Sequence, residues 1–157
     1  YHYLMLAQRQ YYAQQFDAAM RTAIKLCEYD DILQEREVYS LLVLCSLHAS
    51  FFGVCSRAFV KLETLTTVPE RDRDEIETLA VQIFVKNQPV DPAPLPEPYM
   101  RCLDTGKSYQ ACVLTGRAIQ NSPHIMCKQC RFHLLEHERT MKHIVNCPLC
   151  HTVLPAE

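Results

Sequence analysis

Apolar residues recur at helical spacing through the first 86 residues of the chain. The pattern predicts five helices, because apolar positions three, four and seven apart line one face of an α-helix. In the third helix this face is formed by Val38, Leu41, Leu42, Cys45, Ala49 and Phe52. The predicted helices cover 3–13, 16–28 and 35–52, then one containing 54–65 and one containing 76–84.

Two further signals place the ends of these helices. Gly53 follows the third apolar stripe and is predicted to end that helix. Thr67 and Glu70 have the spacing of a capping box, with Pro69 in the first turn, which predicts the start of the fifth helix.

The short turns and the repeat of about 35 residues favour an antiparallel helical-hairpin solenoid of tetratricopeptide type. The Trp and Gly positions of that repeat's consensus are not met, so an irregular helical bundle remains the alternative. Since the chain begins without Met inside a predicted helix, we expect it to be a fragment of a longer protein.

A proline-rich segment, QPVDPAPLPEPYM (88–100), follows the helices. Proline fixes φ and removes backbone donors, so the segment is predicted to be an extended linker. It divides the chain into a helical solenoid end (1–87), the linker (88–100) and a second module (101–157). A linker of this kind transmits little cooperativity, and the two parts are therefore expected to unfold separately.

Beyond the linker, two segments share one pattern around a Thr-Gly pair. CLDTGKSYQ (102–110) and CVLTGRAIQ (112–120) are each predicted to form a strand, a turn and a returning strand. The expected fold class is therefore mainly α, with a small β-rich, zinc-ribbon-like module at the end.

Four cysteines in this module have the spacing of a metal site. Cys127, Cys130, Cys147 and Cys150 form two C-x2-C pairs, and Pro148 presets φ inside the second pair. Two such pairs supply the four thiolates of a closed structural zinc site. The alternative is four buried or disulfide-bonded cysteines, which the close spacing and the absence of a signal peptide disfavour. So short a segment has few apolar residues, and we expect one Zn²⁺ per chain to supply the missing stability.

Other residues could join or replace these ligands. Cys112 is a candidate ligand or a buried neighbour, Cys102 is a weaker one, and His137 or His143 could replace a cysteine. No Ser-His-Asp set, phosphate loop or HExxH motif is present, and a closed thiolate shell cannot activate water. The sequence therefore predicts a protein that is not an enzyme.

The ending CPLC (147–150) is also typical of RING-type ubiquitin ligases. A RING needs eight ligands for two zinc ions, and there is no cysteine between Cys130 and Cys147. A degenerate RING-like domain remains an alternative function.

Charge and hydropathy exclude two classes of partner. The net charge is −2, and the few basic residues after the linker are scattered and read as a solvated surface, so no nucleic-acid partner is expected. No apolar stretch is long enough to span a bilayer, so direct membrane insertion is not expected either.

Several stretches together resemble a known family: HYLMLAQRQYYAQQFDAAMRTAIKL, VYSLLVLC, GVCSRAFVKLETL, CVLTG, CKQC and CPLCH. Their order resembles the C-terminal region of the intraflagellar transport complex A subunit 121 family, proteins in which WD-repeat propellers precede tetratricopeptide-like helices. The resemblance implies a scaffold in retrograde ciliary transport, with other complex A subunits as partners. It implies a location at the cytoplasmic side of the cilium or flagellum and the basal body. It assigns zinc to the four paired cysteines, with Cys112 as an adjunct, and leaves a vesicle-coat or tethering subunit as a further alternative.

Overall fold

The structure is a computed structural model that describes residues 1–156, and its first half consists of five helices, each packed on the next. The helix pattern of the sequence is thereby confirmed, with a 3₁₀ turn at Cys27–Tyr29 extending the second helix. The helices are α1 (His2–Tyr12), α2 (Phe16–Leu26), α3 (Glu35–His48), α4 (Phe52–Thr64) and α5 (Glu70–Lys86).

The break between α3 and α4 is not made by Gly53, and that prediction is wrong. The chain turns at Ser50, whose φ is 62°, and Gly53 lies in the first turn of α4. Asp91 Oδ1 accepts hydrogen bonds from Gly53 N at 2.9 Å and Val54 N at 3.1 Å. A Cβ on Gly53 would lie 2.7 Å from the Asp91 carboxylate. Glycine is needed here because the distant Asp91 caps α4.

The start of α5 also differs from the capping-box prediction. The N-cap is Pro69, and no side chain caps the helix, because Thr67 lies two residues too early to reach the first turn. The predicted apolar face of α5 is only partly covered: no residue of α5 is buried, and Leu79 is 48 % exposed. The reason is that α5 packs mainly against a single neighbour, α4.

The first Thr-Gly segment is helical, so the predicted hairpin at 102–110 is wrong. Helix α6 (Glu97–Thr105) begins inside the proline-rich segment, with a proline in its first turn, where the missing N–H costs nothing. It ends at Gly106, whose φ of 67° is a left-handed cap and whose N–H donates to Cys102 O at 2.8 Å. The helix leaves only residues 88–96 of the predicted linker as irregular connecting chain.

The second Thr-Gly segment forms the expected hairpin. Ala111 pairs with Ala118, and Gly116 N donates to Cys112 O at 2.7 Å across the turn. Beyond it, strands β1 (His124–Met126) and β2 (His133–Leu135) pair antiparallel and are followed by α7 (Glu136–Met141). The module thus has the small sheet that was expected, together with helices that the sequence pattern did not reveal.

The hydrophobic core is continuous across the proline-rich segment. Tyr99 and Cys102 of α6, Val113 and Leu134 belong to the same cluster of buried residues as the helices. Cys102 Sγ lies 3.3 Å from the carbonyl oxygen of Ile24 in α2. These contacts remove the reason for expecting the two parts to unfold separately.

Within residues 1–156, none of the helices combines the length and the apolar character needed to cross a membrane.

Candidate metal centre

The two cysteine pairs sit on two turns with the same backbone geometry. In the first turn, Arg131 N donates to Cys127 O at 2.9 Å and Cys127 N donates to Phe132 O at 2.8 Å. In the second, His151 N donates to Cys147 O at 2.9 Å and Cys147 N donates to Thr152 O at 2.9 Å. Each turn therefore brings its two cysteine side chains to one side through the same pair of hydrogen bonds.

Both turns place the residue after the second cysteine in the left-handed region. Arg131 has φ 65° and His151 has φ 64°, a conformation that costs a residue with a Cβ about 1–2 kcal/mol. Glycine would adopt it freely, and because neither position is a glycine the sequence gives no sign of this left-handed conformation. The two hydrogen bonds of each turn hold the strained conformation in place.

The four sulfur atoms form a compact group that fits a zinc ion. Cys127 Sγ lies 3.6 Å from Cys150 Sγ, Cys130 Sγ lies 3.7 Å from Cys147 Sγ, and all four sulfurs lie within 4.8 Å of one another. A Zn–S distance of about 2.3 Å corresponds to a sulfur–sulfur edge of about 3.8 Å in a tetrahedron. A disulfide would need about 2.05 Å. The geometry therefore favours metal coordination over disulfide pairing.

The thiols differ in acidity because their surroundings differ. Burial raises the pKa of Cys130 to about 12 and also raises the pKa of Cys147. Hydrogen bonds from the side chain and backbone of Thr152 lower the pKa of Cys150 to about 6. A metal held by four thiolates must therefore displace protons, so its affinity falls as the pH falls.

The other candidate ligands lie away from this group. Cys112 is fully buried, and its Sγ accepts a hydrogen bond from Leu135 N at 3.3 Å, which makes it a core residue beside β2. Cys102 lies in α6, and His137 and His143 are exposed. Within residues 1–156, the four paired cysteines are the only group of three or more metal-type ligands close enough to share an ion. The described chain therefore offers no second site of the kind that a RING cross-brace needs.

Helix α1 contacts the cysteine turns directly, which sequence reasoning missed. Arg9 Nη2 donates to Pro148 O at 2.5 Å, and Arg9 Nη1 lies 3.3 Å from His151 Nε2. The rings of Tyr3 and Phe132 pack edge to face with centroids 5.0 Å apart. An Arg and a Tyr on a helix carry no local signal of such a contact, because the partner is more than 120 residues away in sequence.

Comparison with known proteins accounts for both parts of the chain. Residues 1–91 match a family model described as IFT121-like, TPR repeats, and residues 110–155 match the IFT121 second zinc finger domain. The chain is 38 % identical to WD repeat-containing protein 35 of Rattus norvegicus and Mus musculus over 153 residues and of Homo sapiens over 154. Each alignment covers 97 % of this chain and 13 % of the relative.

Proposed function

Because the chain belongs to the IFT121-like family, we propose that it is a non-enzymatic scaffold segment of an intraflagellar transport complex A subunit. It supports assembly of the complex and retrograde ciliary transport. Its partners in this proposal are other complex A subunits, and its location is the cytoplasmic side of the cilium or flagellum and the basal body. The observation that carries the proposal is the closed four-cysteine group docked on the helical repeats.

The proposed metal is a single structural Zn²⁺ held by Cys127, Cys130, Cys147 and Cys150. Four thiolates fill a tetrahedral shell and leave no position for a water molecule or a substrate. When bound, zinc supplies cross-linking energy of about 10–16 kcal/mol in comparable peptides rather than a reactive centre. The residues between the pairs, which include β2 and α7, are thereby fixed against the helices.

The two parts recognised by the family models are proposed to act as one rigid binding surface. The helical part, 1–87, and the zinc module, 101–157, are the units, and 88–100 connects them. Arg9 and Tyr3 of α1 contact the cysteine turns, and the buried pair of Lys25 and Glu28 contacts Tyr109. Helical repeats present extended surfaces to partners, and a docked zinc module extends and stiffens that surface.

Copurification of the zinc-loaded chain with complex A subunits tests this proposal. Cys147→Ser removes one ligand and is expected to lower the zinc content and abolish copurification. His137→Gln changes an exposed side chain between the cysteine pairs and is the matched control, which should retain both zinc and partners. Retained assembly by a zinc-free Cys147→Ser chain would refute the structural role of the metal.

A ubiquitin-transfer assay with a panel of conjugating enzymes addresses the RING-like alternative. The expected result is that the purified chain forms no ubiquitin chains, because the described residues offer one metal site and not two. If the purified chain forms ubiquitin chains in the presence of zinc and Cys147→Ser abolishes this, the protein is a ubiquitin ligase and the scaffold proposal is wrong.

A further inference from the structure

A cleft of about 570 Å³ lies between the helical repeats and the zinc module, and none of the four paired cysteines lines it. Its walls come from the start of α2, the end of α3, the Thr115–Gly116 turn and α7. The side chains that give the cleft its charge are Asp17, Arg21, Arg117, Glu138 and Lys142. None of these residues has a role in the proposed metal site.

Arg21 is held in the cleft by the turn that packs against it. Its Nε donates to Thr115 O at 2.8 Å, and the hydrogen bonds of residues 1–156 leave its two terminal amino groups without a protein acceptor. Gly116, at φ 72°, brings the turn so close that an added Cβ would lie 2.6 Å from Arg21 Cβ. The guanidinium is therefore oriented by packing and by one hydrogen bond, with further donors free.

The cleft has more positive than negative charge. Arg21, Arg117 and Lys142 face two carboxylates, Asp17 and Glu138. Glu138 Oε1 lies 3.3 Å from Arg117 Nη1 and neutralises part of that charge. Burial lowers the pKa of Arg21 and the neighbouring charge of Arg117 also lowers it, while Tyr99, Asp17 and Glu138 act in the opposite direction. Two guanidinium groups that repel each other in this way are stabilised by an anion placed between them.

Two polar features of the cleft have no partner within the described chain. Thr115 is only 5 % exposed, and its Oγ1 is buried without a hydrogen-bond partner. The N-cap residue of α2, Gln15, makes no side-chain hydrogen bond to the first turn. A hydroxyl donor and an uncapped helix N-terminus are both groups that an oxyanion satisfies.

We propose that this cleft is a binding site for a phosphoryl group, with Arg21, Arg117 and Thr115 as its donors. A phosphoryl group carries about −1.5 to −2 charge at neutral pH and presents three acceptor oxygens, enough for donors on several walls. Guanidinium groups bind carboxylate and phosphate oxygens alike in pairs, but a phosphoryl group keeps a third oxygen for a donor on another wall. The group is supplied either by free phosphate or by a phosphorylated protein side chain.

Titration of the zinc-loaded, isotope-labelled chain with inorganic phosphate, followed by nuclear magnetic resonance, tests the site. Saturable shifts are expected at the amides of Thr115 and Gly116. Arg117→Gln should weaken binding at least about tenfold, since a hydrogen bond between charged groups contributes more than the free energy of a tenfold change. Thr115→Val should also weaken binding, through loss of the buried hydroxyl.

Arg101→Gln is the matched control, because it removes an exposed arginine that is also ion-paired but lies outside the cleft. It should leave the phosphate affinity unchanged. Shifts that do not saturate, or equal weakening by Arg101→Gln and Arg117→Gln, would show only general charge screening and overturn the proposal. Circular dichroism and zinc content verify that each variant is folded.

A second arm distinguishes the two sources of the group. A phosphoserine peptide and its unmodified counterpart are titrated in place of phosphate. Tighter binding of the phosphopeptide than of phosphate identifies a modified protein as the source, and equal binding identifies the free ion. If neither phosphate nor phosphopeptide perturbs the cleft residues, there is no phosphoryl site.

Discussion

Removal of the ammonium group of Lys25 should destabilise the whole chain. Lys25 Nζ lies 2.5 Å from Glu28 Oε1, and the two side chains are only 6 % and 5 % exposed. The pair also holds the segment after α6: Lys25 donates to Tyr109 O, and Glu28 accepts from Tyr109 N at 3.0 Å. Lys25→Met leaves the Glu28 carboxylate buried without its cation. Breaking a buried ion pair in this way lowers the free energy of unfolding by about 3–5 kcal/mol.

A double-mutant cycle measures this coupling. Glu28→Gln alone leaves a buried ammonium and should also destabilise, whereas the Lys25→Met, Glu28→Gln chain contains neither isolated charge. We expect the double variant to be more stable than the sum of the single losses predicts, by about 2–3 kcal/mol. Urea unfolding of the zinc-loaded chain, followed by far-ultraviolet circular dichroism, gives the free energies of unfolding.

The exposed pair of Arg101 and Glu97 is the control for this cycle. Its side chains are 45 % and 75 % exposed, and Arg101→Met should cost at most about 1 kcal/mol. Additive effects of Lys25→Met and Glu28→Gln, or a loss for Lys25→Met no larger than for Arg101→Met, would refute the reasoning. Because the pair connects α2 to Tyr109, we also expect one cooperative transition for the zinc-loaded chain, and two resolved transitions would contradict that coupling.

Three further predictions concern the metal and the turns. Elemental analysis should find one zinc per chain, and Cys147→Ser should lose it; two zinc ions would contradict the single site. Gly106→Ala should lower the free energy of unfolding in urea by about 1–2 kcal/mol, from left-handed strain alone. Gly116→Ala should lower it by about 1–3 kcal/mol more, because its Cβ would meet Arg21. Equal losses in the two variants would rule out that contact. Arg131→Gly should raise the melting temperature by relieving strain of about 1 kcal/mol, and a lower melting temperature would argue against the left-handed turn.

Local patterns in the sequence were sufficient for the first five helices and the cysteine group. Apolar periodicity located α1 to α5, and the paired spacing located the four cysteines that the structure brings together. Both signals depend on residues within one or two turns of each other. The mainly helical fold with a small sheet in the cysteine module was predictable for that reason.

The same dipeptide had two outcomes that the Thr-Gly pattern by itself did not separate. Thr105–Gly106 ends a helix, whereas Thr115–Gly116 turns a hairpin. A left-handed glycine serves equally well in both, and the difference comes from Pro98, which fits the first turn of α6. The second segment has no such helix start before it.

Contacts between distant residues were beyond the sequence pattern. Gly53 looked like a helix breaker, but its function is to admit the carboxylate of Asp91 from 38 residues away. Arg9 carries no local sign of its contact, and it donates to Pro148 O across the chain. Such pairings depend on tertiary packing, which one sequence without related sequences does not display.

The cap that Asp91 places on α4 has a consequence for local motion. The segment that contains α5 leaves the end of α4 covalently, and Asp91 binds its other end to the start of α4. Both ends of this segment are therefore held on the same helix. Since α5 buries no residue completely and packs mainly on α4, its opening uncovers α4 residues such as Phe59 but leaves the packing of α1 to α3 in place. Hydrogen exchange should therefore be fastest in α5 among the five helices, as a separate opening unit, while the amides of α4 and α6 on either side of the loop stay protected.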